Sequence, residues 1–417
     1  MDAFFVAVEV LDDPSLAGKP VIVGGAGDRG VVASCSYEAR AYGIHSAMPS
    51  TRARRLCPHA VFVPGHFDRY NEESGKIHEI FHEFTPLVEG ISLDEAFLDV
   101  TGARRLLGDG PKIAAAIRQT LYGRLKLWSS VGVSTTKFLA KLASEAAKPK
   151  ASVQGAIPGK GVYVVEPGQE LAFLHPLPIE ALWGVGPATA ERLGRLGVTT
   201  IGDLSEIPLN TLVGAVGKAV GQHLHDLSWA RDARAVVPER ATKSIGHEET
   251  YPVDHDDPAV LHREAVRMAD AVGARLRRHD LAGRTVTIKV RFHDFATITR
   301  SHSLPTAIDE GPAIARVASA LLEQVDISSG VRLFGVSVSN LIAGGARQLS
   351  LDDVDDAVGG AGGAGPAGPG GRAETATSRA VDAVRDRFGP DAVGPAAIVS
   401  DKGLRTKKQG EQQWGPS

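Results

Sequence analysis

Leu87 to Val100 reads as strand, turn, strand, with apolar residues bracketing the acidic pair of Ser92-Leu93-Asp94-Glu95-Ala96-Phe97-Leu98-Asp99-Val100. Two adjacent carboxylates at such a point are costly unless a cation neutralises them. Neighbouring side chains on a strand face opposite ways, so Asp94 and Glu95 both reach one cation only at a bend or strand end. Hard oxygen ligands select Mg²⁺ or Mn²⁺, and Mg²⁺ is usually held by one or two carboxylates together with substrate phosphates. The pair points to phosphoryl or nucleotidyl transfer; the plain alternative is a solvated turn that happens to be acidic.

A chain of 417 residues has room for two to four domains. Its 43% apolar and 23% charged residues are ordinary for a globular protein. No stretch approaches the ~20 apolar residues of a membrane span, and Met1 is not followed by a secretory signal pattern. Cys35 and Cys57 give neither a disulfide framework nor a thiolate cluster, which fits a cytoplasmic protein. The net charge of -3 carries no nucleic-acid signature for the chain as a whole. Locally, however, Arg275, Arg277, Arg278, Arg284, Lys289, Arg291 and Arg300 stand against only Asp280 and Asp294. Such a stripe suits a phosphate-tracking surface, or else a solvated helix followed by a charged edge strand.

In chain order, Met1 to Val10 is an apolar run with Asp2 and Glu9, expected as a strand. Lys19 to Gly25 and Gly30 to Cys35 are further strands, and Tyr37 to Gly43 is one or two helical turns. Arg40, after a strand and near a helix start, suits a phosphate clamp, with an ordinary surface arginine as the alternative. A short basic helix (Ser50 to Cys57), a strand (Ala60 to Pro64) and a helix (His66 to Phe84) precede the acidic hairpin. Gly110 to Leu127 and Lys137 to Lys148 are helices around the strand Ser129 to Ser134, and Pro149 ends the second. The hairpin argues for a mixed sheet.

Pro158 to Pro167 reads as a linker with one strand. Leu182 to Val198 then carries a helix-hairpin-helix signature. Gly184 and Gly186, flanking Val185, allow a tight turn whose amide N–H groups face a phosphate. From Lys243 onward, strand, helix, two strands, helix and strand make a small α+β sandwich. Lys289 and Arg291 share one face of its strand Thr285 to Phe292. Beyond Ile342 come an acidic stretch, a Gly/Ala/Pro linker, a short helix over Arg379 to Phe388 and a disordered end, expected together as a flexible tail over 343–417. Gln348-Leu349-Ser350-Leu351 looks like a peptide that docks in a partner's groove.

Taken together, these residues resemble the Y-family translesion DNA polymerases, and most closely their DNA polymerase IV subfamily. The carriers are Asp2-Ala3-Phe4-Phe5 with Val8-Glu9, Ser36-Tyr37-Glu38-Ala39-Arg40, Ser92-Leu93-Asp94-Glu95-Ala96, Lys137-Phe138-Leu139-Ala140-Lys141, Ala147-Lys148-Pro149, Gly184-Val185-Gly186 and Lys243-Ser244-Ile245-Gly246, in the family's order. The resemblance implies an α+β multidomain right hand. Its palm is 1–10 with 67–157, its fingers 11–66, its helix-hairpin-helix thumb 168–235 and its little finger 243–342. It implies an error-prone, template-directed polymerase without proofreading that adds dNTPs to a primer 3′-OH.

Under this resemblance Asp94 and Glu95 are the catalytic, metal-binding carboxylates for two Mg²⁺ (or Mn²⁺) ions, with the Met1 backbone carbonyl beside them. Tyr37, Arg40 and Lys148 hold the triphosphate. Phe5 is the steric gate against a ribose 2′-OH. Gly184, Val185, Gly186, Lys243, Lys289 and Arg291 contact primer-template DNA. Gln348, Leu349 and Leu351 bind the sliding clamp, although Asp352 stands where a final phenylalanine is common, which weakens docking. The protein is expected to act as a monomer.

One departure stands out. In the family, an aspartate immediately before the residue that is Met1 here is the third metal-binding carboxylate. Asp2, two residues along an extended strand, would be displaced by ~6.6 Å from it. Either the natural start lies upstream, or the chain is a catalytically impaired accessory protein that binds DNA and the clamp. A nucleotidyl cyclase with a similar palm is a further alternative, disfavoured by the helix-hairpin-helix and the basic C-terminal domain.

Overall fold

The computed structural model describes residues 1–152, 155–343, 370–400 and 403–404. Two compact units account for them, one of Met1–Gly24 with Val32–Arg240 and one of Gly25–Val31 with the chain from Ala241 onward.

The first unit opens on a correction. Met1 to Val10 is not a strand: α1 is a helix over Phe4–Asp12. Short apolar runs do not distinguish a strand from a buried helix, and here the helix buries Phe4, Val6, Val8 and Glu9. Ala3 takes a left-handed conformation at φ 47° and ψ 49°, so the chain kinks between Asp2 and α1. Asp2 therefore does not continue an extended register.

Strands β1 (Val21–Gly24), β2 (Val32–Cys35) and β3 (Val61–Val63) form a sheet of order β2-β1-β3, with β1 antiparallel to β2 and parallel to β3. Helices α2 (Tyr37–Arg40) and α3 (Ser50–Leu56) lie between β2 and β3 in the chain. Ile22, Val32, Cys35, Ile44, Met48 and Cys57 make a small core there, with both cysteines buried and free.

Helix α4 (Phe67–Phe84) leads into the hairpin of β4 (Val88–Gly90) and β5 (Ala96–Leu98). After α5 (Arg104–Leu107) and α6 (Gly110–Leu125) come β6 (Val131–Val133), α7 (Lys137–Ala147) and β7 (Val162–Val164). β7 pairs in parallel with β6, so the strand expected inside a linker belongs to this body instead. Tyr70, Ile77 and Ile80 of α4 meet Ile113, Ile117 and Leu121 of α6, together with Phe4 and Val8.

Helices α8 (Glu170–Leu174), α9 (Pro187–Gly194), α10 (Ile201–Glu206), α11 (Leu209–Val216) and α12 (Lys218–Ser228) complete the first unit. They enclose Leu182, Leu193, Ile201, Leu204, Leu212 and Leu224. Thr200 and Asp203 close a reciprocal capping box on α10, using both side chains to satisfy orphan N–H groups.

The second unit is the expected sandwich. β8 (Ser244–His255), α13 (Pro258–Arg278), β9 (Leu281–Phe292), β10 (Thr297–Ile308), α14 (Gly311–Leu322) and β11 (Val331–Ala343) form an antiparallel sheet of order β10-β9-β11-β8 with both helices on one face. Val286, Ile288 and Val290 point into that core, as period-two alternation requires.

The tail, expected to be flexible apart from a short helix over Arg379 to Phe388, contains a longer and docked helix. Helix α15 (Gly370–Phe388) packs by charge onto α13: Arg277 grips Asp382 through two bonds of 2.5 and 2.9 Å, and Arg385 Nη2 bonds Asp270 Oδ2 at 2.8 Å. Each helix supplies one acid and one base, spaced so that both fall on one helical face.

Candidate active site

The acidic pair lies where alternation breaks. β4 and β5 pair Val88 with Leu98, Glu89 with Phe97 and Gly90 with Ala96, and the loop is pinned because Ile91 N donates to Glu95 O at 2.8 Å. Asp94 and Glu95 thus sit at a hairpin tip. Ser92 Oγ bonds Asp94 Oδ1 at 3.0 Å, and Ser74 Oγ of α4 fastens Leu93 O at 2.6 Å.

Cations face both carboxylates. The Met1 ammonium donates to Asp94 O at 2.8 Å and lies 3.4 Å from Asp94 Oδ2. Lys141 Nζ lies 2.8 Å from Glu95 Oε2. Burial alone would raise the Glu95 carboxyl, but the Lys141 hydrogen bond and the charges of Lys141, Lys148 and the Met1 ammonium outweigh it and hold the carboxyl below its usual range. One turn earlier on α7, Lys137 Nζ bonds the buried Glu89 Oε2 at 2.6 Å. That oxygen also accepts the Val237 N–H at 2.8 Å. The sequence reading missed the roles of Lys141 and Glu89, although the Lys137/Lys141 spacing already put both lysines on one helical face.

Tyr37 and Arg40 come from the short α2, whose first turn is fixed by Ser36 Oγ accepting the Ala39 N–H. The Arg40 guanidinium lies 4.6 Å from the Tyr37 ring centroid. The Tyr37 hydroxyl is buried with no hydrogen-bond partner among the described residues. Burial first, then the nearby charge of Asp2, pushes this phenol up to about 12. Lys148 ends α7 and bonds Glu145 Oε1 at 2.6 Å, on its own helix. Phe4 is buried in the core, and Phe5 is half-buried and packs against the same core. Asp2 is buried and accepts the Ser130 hydroxyl at 2.7 Å.

The described residues contain no group of three or more His, Cys, Asp and Glu placed to hold a metal. Asp94 and Glu95 nevertheless offer the hard oxygen donors that Mg²⁺ takes. Both stand at one hairpin tip, so this pair of donors fits a divalent ion.

Elsewhere, Gly184 has φ +99°, a conformation natural to glycine, and Gly186 caps α9. Val185 is buried rather than presented outward. On the little-finger-like sheet, Thr285, Thr287, Lys289 and Arg291 share the face opposite the helices, with Ser301 and Ser303 of β10 bonded to the two threonines. Lys289 is neutralised there by Glu248 at 2.8 Å, and Arg291 Nε bonds Thr297 Oγ1 at 2.9 Å. Lys243 is exposed just before β8.

The basic stripe counted along the sequence is not one surface. Arg277 is consumed by Asp382 and by Asp309 O, and Arg275 bonds Gly246 O at 2.8 Å. Helix and strand turn adjacent arginines to different faces. Gln348, Leu349 and Leu351 lie outside the described residues.

Residues 1–145 match the model of the impB/mucB/samB family, 242–351 that of the same family's C-terminal domain, and 180–231 a thumb-domain model described for DNA polymerase-iota. DNA polymerase IV of Streptomyces coelicolor is 46% identical over 343 residues, 82% of this chain and 70% of that protein. DNA polymerase IV of Desulfatibacillum aliphaticivorans is 42% identical over 403 residues, 96% of both chains. Among solved structures, a chimeric Y-family DNA polymerase built from Dbh and Dpo4 superposes with a TM-score of 0.73 at 27% identity, covering 82% of this chain and 97% of its own.

Proposed function

This chain belongs to the DNA polymerase IV group of the Y-family DNA polymerases, and from that premise we propose that Asp94 and Glu95 carry its error-prone translesion synthesis. The observation that supports this most is the pair of adjacent carboxylates at one hairpin tip, with Lys141 from α7 against Glu95. A preorganised negative site of this kind suits the transfer of a nucleotide to a primer 3′-OH. Mg²⁺ would be held by the two carboxylates, with the Met1 carbonyl beside them. When bound, two such ions activate the attacking hydroxyl and stabilise the pyrophosphate leaving group.

The protein groups divide the remaining work. Arg40 and Lys148 counter the triphosphate charge, and the Tyr37 hydroxyl, without a partner, supplies a ready donor to a phosphate oxygen. Phe5 lies under the sugar and rejects an added 2′-oxygen by overlap. The Gly184-Val185-Gly186 turn and the open sheet face with Lys243, Lys289 and Arg291 hold the phosphates of primer-template DNA without reading sequence. In this reading the palm is 1–10 with 67–157, the fingers 11–66, the thumb 168–235 and the little finger 243–342. Gln348, Leu349 and Leu351 contact a sliding clamp, and the enzyme acts as a monomer in the cytoplasm.

The test is primer extension on a primed template with Mg²⁺ and dNTPs, beside a DNA-binding measurement. Asp94→Asn and Glu95→Gln should each lower extension on the order of a hundredfold or more while DNA binding persists. Extension at the unmodified rate in either variant removes the acid pair from the chemistry.

A further inference from the structure

Phe5 and Glu9 lie one turn apart on the same face of α1, and both meet Tyr70 of α4. The rings of Phe5 and Tyr70 are stacked, with centroids 4.3 Å apart and planes within 16°. The Tyr70 hydroxyl donates to Glu9 Oε1, and His66 Nδ1 lies 2.9 and 3.0 Å from the two Glu9 carboxylate oxygens. The Phe4 ring lies tilted to the Tyr70 ring, with centroids 6.3 Å apart. Tyr70 is fully buried and Glu9 is 4% exposed, whereas Phe5 keeps an open side.

We propose that Glu9 and Tyr70 are positioning residues that fix the ring of Phe5 and thereby set how strictly the nucleotide site rejects ribonucleotides. The inference rests on the reading of Phe5 as the steric gate. A gate of this kind acts only by overlap. Its strictness depends on the ring holding its place, because displacements of about an ångström shift reactivity by about a hundredfold. A lone aromatic side chain at the start of a helix swings readily between rotamers. Stacking on a buried ring removes that freedom only if the second ring is itself fixed. Tyr70 is fixed at its hydroxyl by Glu9. Glu9 is in turn oriented by His66, which touches both of its oxygens. A carboxylate buried among apolar side chains is costly to keep, and the bond to Tyr70 gives it a task that no step of nucleotide transfer requires.

The experiment compares Tyr70→Phe, Tyr70→Leu and Glu9→Gln with Phe5→Ala and the unmodified enzyme. For each, the efficiency of dNTP incorporation is divided by that of the matching rNTP, and thermal melting reports folding. Phe5→Ala should collapse the ratio. Tyr70→Leu, lacking the ring, should follow it most of the way. Tyr70→Phe, which keeps the ring and loses the tether, should lower the ratio by about tenfold, chiefly through a lower KM for the rNTP. Glu9→Gln should fall between Tyr70→Phe and the unmodified enzyme, since an amide oxygen still accepts from Tyr70.

A merely structural role would depress dNTP and rNTP incorporation together and leave the ratio alone. Collapse in Phe5→Ala with an unmodified ratio in Tyr70→Phe and Glu9→Gln would overturn the positioning role while leaving the gate. An unmodified ratio in Phe5→Ala would overturn the gate, and the positioning role with it. Should Tyr70→Leu melt early, the isosteric Tyr70→Phe decides.

Discussion

Lys141 Nζ lies 2.8 Å from Glu95 Oε2, so the carboxylate proposed for the reaction centre is held by a lysine of α7. The lysine keeps the Glu95 carboxyl below its ordinary value of 4.5. Lys141→Met removes the hydrogen bond and its charge, leaving burial opposed only by the weaker remaining charges, such as that of Lys148, so the carboxyl moves upward. The acidic limb of the kcat profile should therefore move to higher pH. The stability that the depressed carboxyl contributes is present above its unfolded value and lost as pH falls through the lower folded value, and the variant should lack that loss. Rate and melting profiles from pH 4 to 8 check both, and an unmoved acidic limb would reject the coupling.

Tyr37 carries two predictions of opposite sign. Its hydroxyl is buried without a partner among the described residues, and such a group costs about 1–3 kcal/mol. Tyr37→Phe should raise the melting temperature of the free enzyme while raising KM for every dNTP. A raised melting temperature with an unchanged KM would leave the hydroxyl without a role toward triphosphate.

Glu89 and Lys137 form a buried pair with side chains 4% and 12% exposed. Removing one partner strands the other's charge, so Glu89→Ala should destabilise by about 3 kcal/mol. Replacing both residues by methionine should recover most of this. Chemical denaturation of the two singles and the double gives the coupling directly.

The reciprocal bridges between α13 and α15 predict that Arg277→Ala releases α15. Proteolytic cleavage within 377–388 should quicken, while protection of β9 is retained. The exchange Arg277→Asp with Asp382→Arg should restore resistance, because the pair is defined by charge and geometry. Cleavage at the unmodified rate in Arg277→Ala would show that the Arg385–Asp270 bridge and apolar packing hold the helix without Arg277.

Much of the local geometry of the candidate site was legible in order along the chain. A carboxylate pair needs a break in alternation to serve one ion, and the hairpin tip at Ile91 to Glu95 is that break. The alternation of Thr285 to Phe292 fixed which residues of β9 face the core and which face outward. The Gly184 turn and the strand–helix order of the second unit were likewise local, written in glycine positions and periodicity.

Other features were invisible for a common reason. The apolar run at Met1 fits either period, and in the fold it is a helix whose Phe4, Val6 and Val8 share a core with α4 and α6. Arg277 looked like part of a basic stripe, yet its partner is Asp382, 105 residues away. Glu9, His66 and Tyr70 are unremarkable as separate letters.

Residue types and local periodicity by themselves determined the groups on offer: two hard carboxylates at a turn, an arginine beside a tyrosine at a short helix, and an open sheet face rich in hydroxyls. Only the tertiary structure decided which charges neutralise one another. Ion pairs and stacked rings act over a few ångströms in space whatever their separation along the chain, so Lys141 came to Glu95, Asp382 to Arg277, and Tyr70 to both Phe5 and Glu9.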